Sequence, residues 1–273
     1  MSAVPAHVHA GGHGGAFLEL VVLGLAIMAV GAYLTAVVLT RRRGRSWPLR
    51  RALAWVGGIA LAVTAVAGPL AAAAHDGFVA HMWTHLLAGM IAPVLLVLAA
   101  PVTLALRTLP VTPARRLSRV LRSAPARVFA HPVTAASLSA GGLWVLYLSP
   151  VLAVMRADPL AHLLVHAHLV VAGYLFTAAV IGRDPRPHPP GRPVAAVALI
   201  LAVASHAVLA KHLYAYPPAA VPVAEAQAGA QFMYYAGAWV EAVLIVVFCA
   251  DWYRAAGRRM ARSTQAVSTS SAK

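Results

Sequence analysis

FVAHMWTHLLAGMIAPVLLVLAAPVTLALR, residues Phe78–Arg107, carries no charged side chain until its final arginine. A run that long and that apolar is a membrane-spanning helix, because about twenty apolar residues cross the hydrocarbon of a bilayer. His81 and His85 stand near its start, one helical turn apart. Imidazoles in such a span need a partner or a water-filled cavity, which makes them candidates for function. At 1.5 Å per residue the run makes roughly 43 Å of helix against roughly 30 Å of hydrocarbon, so it must tilt or bend. Bends are expected at Pro93 and Pro101, each of which removes a hydrogen bond to the preceding turn.

Outward from this stretch, similar apolar runs recur along the chain. Its 273 residues are 61% hydrophobic and 11% charged, whereas soluble domains carry about 25% charged residues. The same ruler predicts seven spans, at 16–40, 51–74, 78–106, 132–155, 159–182, 193–215 and 230–253. The expected fold class is therefore all-α, a polytopic membrane bundle of seven transmembrane helices filling residues 16–255. Residues 1–15, MSAVPAHVHAGGHGG, have no Lys or Arg and no compact apolar core, unlike a cleaved signal peptide. They read as a flexible Gly/His-rich tail, with metal capture by His7, His9 and His13 as the alternative. Residues 256–273 read as a basic tail without fixed structure.

Charge gives the orientation. A net charge of +15 would point to nucleic acid in a soluble protein. Here the arginines crowd into the loop RRRGRSWPLRR, the segment Arg107–Arg127, the loop GRDPRPHPPGRP and the C-terminal tail, while the opposite side has only Arg156 and Lys211. Positive charge stays in the cytoplasm. The N-terminus is thus expected outside and the C-terminus in the cytoplasm, and no nucleic-acid partner is expected. Thr112-Pro113 reads as a cap followed by proline at the first helical position. From there Leu117, Val120 and Leu121 face one way and Arg115, Arg116, Arg119 and Arg122 another, which predicts a short surface helix turned to membrane lipids.

With this orientation, seven of the thirteen histidines fall in the outer third of the membrane or its loops: His75, His81, His85, His162, His166, His206 and His212. Residues four apart share a helix face, so His81/His85 and His162/His166 can each present two imidazoles to one point. His168 points away from His166. Nitrogen-rich sites suit Zn, Cu, Fe and Ni, and thioether sulfur favours Cu(I). The single cysteine, Cys249, cannot form a two-thiol clamp. Met82, beside His81, is the nearest sulfur, with Met155 and Met233 similarly placed on the fourth and seventh spans. The metal set expected is His81, His85, His162 and His166, supported by His206, His75, His212 and Met82, with copper as the ion. A lone histidine more often bonds a neighbouring backbone group, and a methionine more often fills a gap; two pairs at one depth are harder to explain that way. Glu241, in the middle of the seventh span, is expected to be protonated or to pair with a histidine or a tyrosine such as Tyr234. Glu19 reads as reaching the headgroups, and Asp158-Pro159 as a helix cap.

HMWTHLLAGMIAPVLLVLAAPVTLALR resembles the signature helix of the CtaG-type cytochrome c oxidase assembly factors. LAHLLVHAHLVVAGYLFTAAVIGRDPRP resembles their second hallmark, a His-rich helix closing in Gly-Arg-Asp-Pro. The resemblance covers about residues 16–255. It implies a seven-helix protein of the bacterial plasma membrane that matures haem–copper oxidases, with an oxidase subunit and other copper chaperones as partners. His81, His85, His162 and His166 would be motif positions. The expectation is a non-enzymatic factor that binds copper and passes it on. The rival is a haem-binding redox enzyme with axial histidines; haem needs single histidines on facing helices, whereas pairs on one helix favour a compact ion.

Overall fold

The structure, a computed structural model, describes residues 12–185, 191–219 and 221–270. Residues 1–11 of the Gly/His tail, with His7 and His9, lie outside them, as does the side chain of His13. Among the described residues every regular element is helical. In chain order these are α1 (Gly12–Arg42), α2 (Leu49–Val66), α3 (Pro69–Asp76), α4 (Phe78–Leu86), a π-helical turn (Leu87–Ile91), α5 (Ala92–Leu98) and α6 (Pro101–Thr108). Then follow α7 (Val111–Leu121), α8 (Ala124–Phe129), α9 (Pro132–Leu148), α10 (Val151–Ala157), α11 (Pro159–Ile181), α12 (Arg192–Ala215) and α13 (Val223–Ser270).

Six helical runs are long and apolar enough to cross a membrane, and a seventh exists if the bent pair α9–α10 counts as one. This is a multi-pass membrane protein. Its lipid side is visible in α1, where Phe17, Leu20, Ile27 and Met28 are all more than 60% exposed. The fourth span departs from expectation. A continuous helix over 132–155 is predicted, but the chain turns by 78° between Leu148 and Val151. Pro150 fixes its own φ and biases Ser149 away from the helical region, so the helix ends there. Helix α13 continues to Ser270, across residues 256–270 where the sequence reads as a tail without structure.

The third span resolves its excess length by breaking. Ala100 is buried and left-handed at φ 51°, a conformation that costs a non-glycine residue about 1 kcal/mol. Pro101 then starts α6 afresh. Up to Leu98 the span makes about 31 Å of helix, close to the hydrocarbon thickness. Two contacts hold the break. The Tyr33 hydroxyl donates to the Ala99 carbonyl at 2.8 Å. Asp184 accepts from the Thr103 amide and hydroxyl, both at 2.7 Å, and from the Val102 amide at 3.3 Å. A carboxylate at the N-terminus of α6 satisfies orphan amides and opposes the helix dipole.

The expected bend at Pro93 takes another form. Pro93 has no N–H to give the Gly89 carbonyl, and the π-helical turn lies just before it. Gly173 of α11 lies over that carbonyl. A Cβ built there would stand 2.3 Å from Gly89 O and 2.8 Å from Pro93 Cγ. Only glycine permits this approach of the third and fifth spans.

At the helix starts, Asp158 caps α11 by accepting from the amides of Leu160 (3.3 Å) and Ala161 (3.0 Å), as its sequence context predicts. Thr112 does not cap the surface helix. That helix begins at Val111 with Pro110 in the capping position, because the proline's fixed φ already turns the chain into it.

Two substitutions test this frame. Asp184→Ala should lower stability by about 1–2 kcal/mol, the cost of losing a helix cap, read as a lower Tm of detergent-purified protein. Gly173→Ala should cost about 1–3 kcal/mol by overpacking. An unchanged Tm in either variant would contradict the contact assigned to it.

Candidate functional site

The five histidines inside the spans are all buried: His81, His85 and His166 are at most 2% exposed, and His162 and His206 are 6–7% exposed. They come from α4, α11 and α12, at the end of the bundle opposite the arginine-rich loops. Glycines let the helices close around them. Gly237 of α13 faces the His206 ring so tightly that a Cβ would lie 2.4 Å from Cε1. Glu225, just inside α13, accepts from the Phe78 amide and caps α4 at the point where the histidine-bearing span starts.

Each of three imidazoles is anchored through one nitrogen. His166 Nδ1 donates to the His162 carbonyl at 3.0 Å. That fixes the tautomer and leaves a lone pair on Nε2. Nε2 faces Thr84 Oγ1 at 3.4 Å, but the Thr84 proton is committed to the His81 carbonyl at 2.8 Å. His206 Nδ1 lies 3.1 Å from Glu241 Oε1, so the expected partner of the buried glutamate is a histidine and not Tyr234. His81 Nε2 lies 3.1 Å from the Tyr147 hydroxyl, which itself donates to Met82 Sδ at 3.6 Å. The phenol oxygen therefore accepts from His81, whose Nδ1 keeps its lone pair. In metal sites the second nitrogen of a ligating histidine is oriented in this way by an outer partner.

What remains is a set of buried nitrogens with nothing to bond. His81 Nδ1, His206 Nε2 and both nitrogens of His85 and His162 have no hydrogen-bond partner among the described residues. A buried polar atom left unsatisfied costs about 1–3 kcal/mol. Arg156 Nε, on α10, is in the same condition.

The rings form two groups. His75, His162 and His166 stack in a column, with centroids 4.9 and 4.2 Å apart. The column starts at the surface, since His75 is exposed. It borders a cavity of about 190 Å³ that Glu19 also lines, so Glu19 faces a histidine site as well as the bundle's edge. On the other side, the His85 and His206 rings lie 6.0 Å apart. They border an inner cavity of about 60 Å³ with Glu241, Ser139 and Thr177, room for a few water molecules.

The pairs are thus not two-pronged clamps. His81 bonds Tyr147, while His85 lies edge-on to Tyr147 at 6.4 Å and beside His206 at 6.0 Å, bonding neither. Among the described residues no three His, Cys, Asp or Glu side chains converge at metal-holding geometry. His212 sits against the Trp144 and Tyr216 rings, at 6.2 and 5.0 Å, and not among the buried histidines. Its offset from His206 puts it on another face of α12. His168 bonds the Leu138 carbonyl at 3.2 Å, away from the cluster as its spacing requires. Met82, Met155 and Met233 all lie in the apolar core around Tyr147. Tyr147 is the site residue that pattern reading misses. A phenol at the end of a span was the available signal.

The chain is similar to uncharacterized proteins of Mycobacterium bovis and Mycobacterium tuberculosis, each 38% identical over 168 residues. It is 34% identical over 169 residues to an uncharacterized protein of Mycobacterium leprae. Each match takes in 59% of this chain and 25% of the relative, so the chain corresponds to a quarter of the length of these relatives. No solved structure matches it. Residues 31–255, from the middle of α1 to the middle of α13 and with every buried histidine among them, match the family described as cytochrome c oxidase caa3 assembly factor, and the chain belongs to that family.

Proposed function

We propose that this protein serves the assembly of a caa3-type cytochrome c oxidase by taking up copper at the buried histidines and handing it to an oxidase subunit. The observation that carries the reading is the set of six ring nitrogens, from three spans, buried without a partner among the described residues. Neutral imidazole lone pairs in an apolar surround need a proton donor or a cation, and nitrogen with thioether sulfur suits copper. The twenty Lys and Arg at the other end of the bundle, against two here, support a site on the extracytoplasmic face.

The column His75–His162–His166 supports entry. It runs from the surface inward and meets Thr84, beside His81. Tyr147, Glu241 and the His162 carbonyl hold the three inner rings in one tautomer each, so that Nδ1 of His81 and Nε2 of His166 and His206 are the donor atoms. Few ligands and no thiolate would keep the ion exchangeable, which suits a carrier and not an enzyme. The recipient is an oxidase subunit, and a soluble copper chaperone is the natural donor at His75.

Copper analysis of membrane-extracted protein is the direct test. Wild type should carry copper, and the His81→Ala/His85→Ala and His162→Ala/His166→Ala variants should lose it together with oxidase activity in cells. Copper retention unchanged in both variants, or a Soret band from bound haem, would overturn the reading. Tyr147→Phe should weaken copper retention by about 10–100-fold in a chelator competition, the usual loss when a ligand's outer partner is removed.

A further inference from the structure

At the end of the bundle opposite the histidines, a cleft of about 580 Å³ opens between α2, α5, α13 and the segment after α11. Four arginines line it: Arg50 and Arg51 from α2, Arg183 beyond α11 and Arg254 from α13. Its floor is apolar, made by Leu53, Ala54, Leu95 and Leu98. The copper reading uses none of these residues.

Charge within the cleft is unbalanced. Asp251 is the carboxylate here, and it is shared: Arg183 approaches it at 3.2 Å and Arg254 at 3.8 Å. Its backbone carbonyl takes a further bond from Arg192 at 3.2 Å. Arg51 lies over the Trp47 ring at 4.8 Å, and Arg50 is exposed; neither is in an ion pair among the described residues. Asp184, next in sequence to Arg183, is engaged by the amides of α6. The cleft keeps an excess of positive charge and makes a seat for an anion.

The floor decides which anion. Leu53 is 63% exposed, so the cleft opens sideways into the bilayer as well as toward water. A soluble anion would leave the leucines wet. A phospholipid satisfies both parts, with its phosphodiester among the guanidinium groups and its acyl chain along Leu53, Leu95 and Leu98. Basic pockets between transmembrane helices bind acidic headgroups in this manner, and guanidinium groups pair with phosphate oxygens in a fork.

We propose that this cleft is a binding site for one anionic phospholipid, which bridges α2 and α13 around the break in the third span. The site lies away from the histidines, so its test is independent of copper. Purified full-length protein should retain about one acidic phospholipid per chain in native mass spectrometry after washing with detergent. Arg50→Gln/Arg254→Gln should reduce that occupancy at least tenfold. Arg115→Gln/Arg116→Gln, which removes the same charge from the surface helix α7, should leave it unchanged. Leu98→Trp, which fills the floor and keeps every charge, should also expel the lipid. Added phosphatidylglycerol should raise the Tm of wild type more than phosphatidylcholine does. Equal lipid loss from the cleft and α7 variants, lipid retained in Leu98→Trp, or an equal Tm rise from inorganic phosphate alone would each overturn the assignment.

Discussion

Two backbones meet where Pro93 withholds an amide and Gly173 withholds a side chain. The Gly89 carbonyl, left without its usual helical donor, is covered by the fifth span, which can approach only because position 173 has no Cβ. This contact sets how far His85 and Thr84 stand from His166, since those residues lie within about two turns of it on either helix. The break at Ala100 and the Asp184 cap hold the far end of the third span. The span is therefore fixed at both ends before any histidine is placed.

Within that frame the imidazoles are held with part of their hydrogen-bonding capacity unused. A structural histidine in an apolar core would have both nitrogens matched, because the alternative is a desolvated polar atom. Here one nitrogen is matched in three rings and none in two others. The matched nitrogens go to a phenol, a carbonyl and a carboxylate on neighbouring elements, so each ring's orientation is fixed by a different part of the bundle. Arg156 adds a positive charge on the same flank, close enough to act on His81.

Composition and period made the spans, the gathering of histidines at one end of the bundle and the Asp158 cap legible in the sequence, because each depends on local residues alone. The π-helical turn, the left-handed Ala100 and the 78° turn at Pro150 were not legible. A proline states that the chain deviates, while the form of the deviation is decided by what packs against it. Partners across helices were hidden for the same reason. Tyr147 for His81, His206 for Glu241 and the separate place of His212 all depend on helix rotation, which hydropathy does not encode. The i,i+4 spacing correctly grouped the residues of each pair on one side of a helix. It did not show that His81 would bond Tyr147 while His85, against the same ring, would bond nothing among the described residues.

The turn after Leu148 has a consequence for the surrounding membrane. Helix α9 has 17 residues, about 26 Å of helix, some 4 Å less than the hydrocarbon thickness. α10 does not continue the crossing, since it leaves at 78°. A span this short is matched by a locally thinner bilayer, by flanking side chains that reach for the headgroups or by a neighbouring protein, so the Tyr147 flank is where the bundle and its membrane fit least closely.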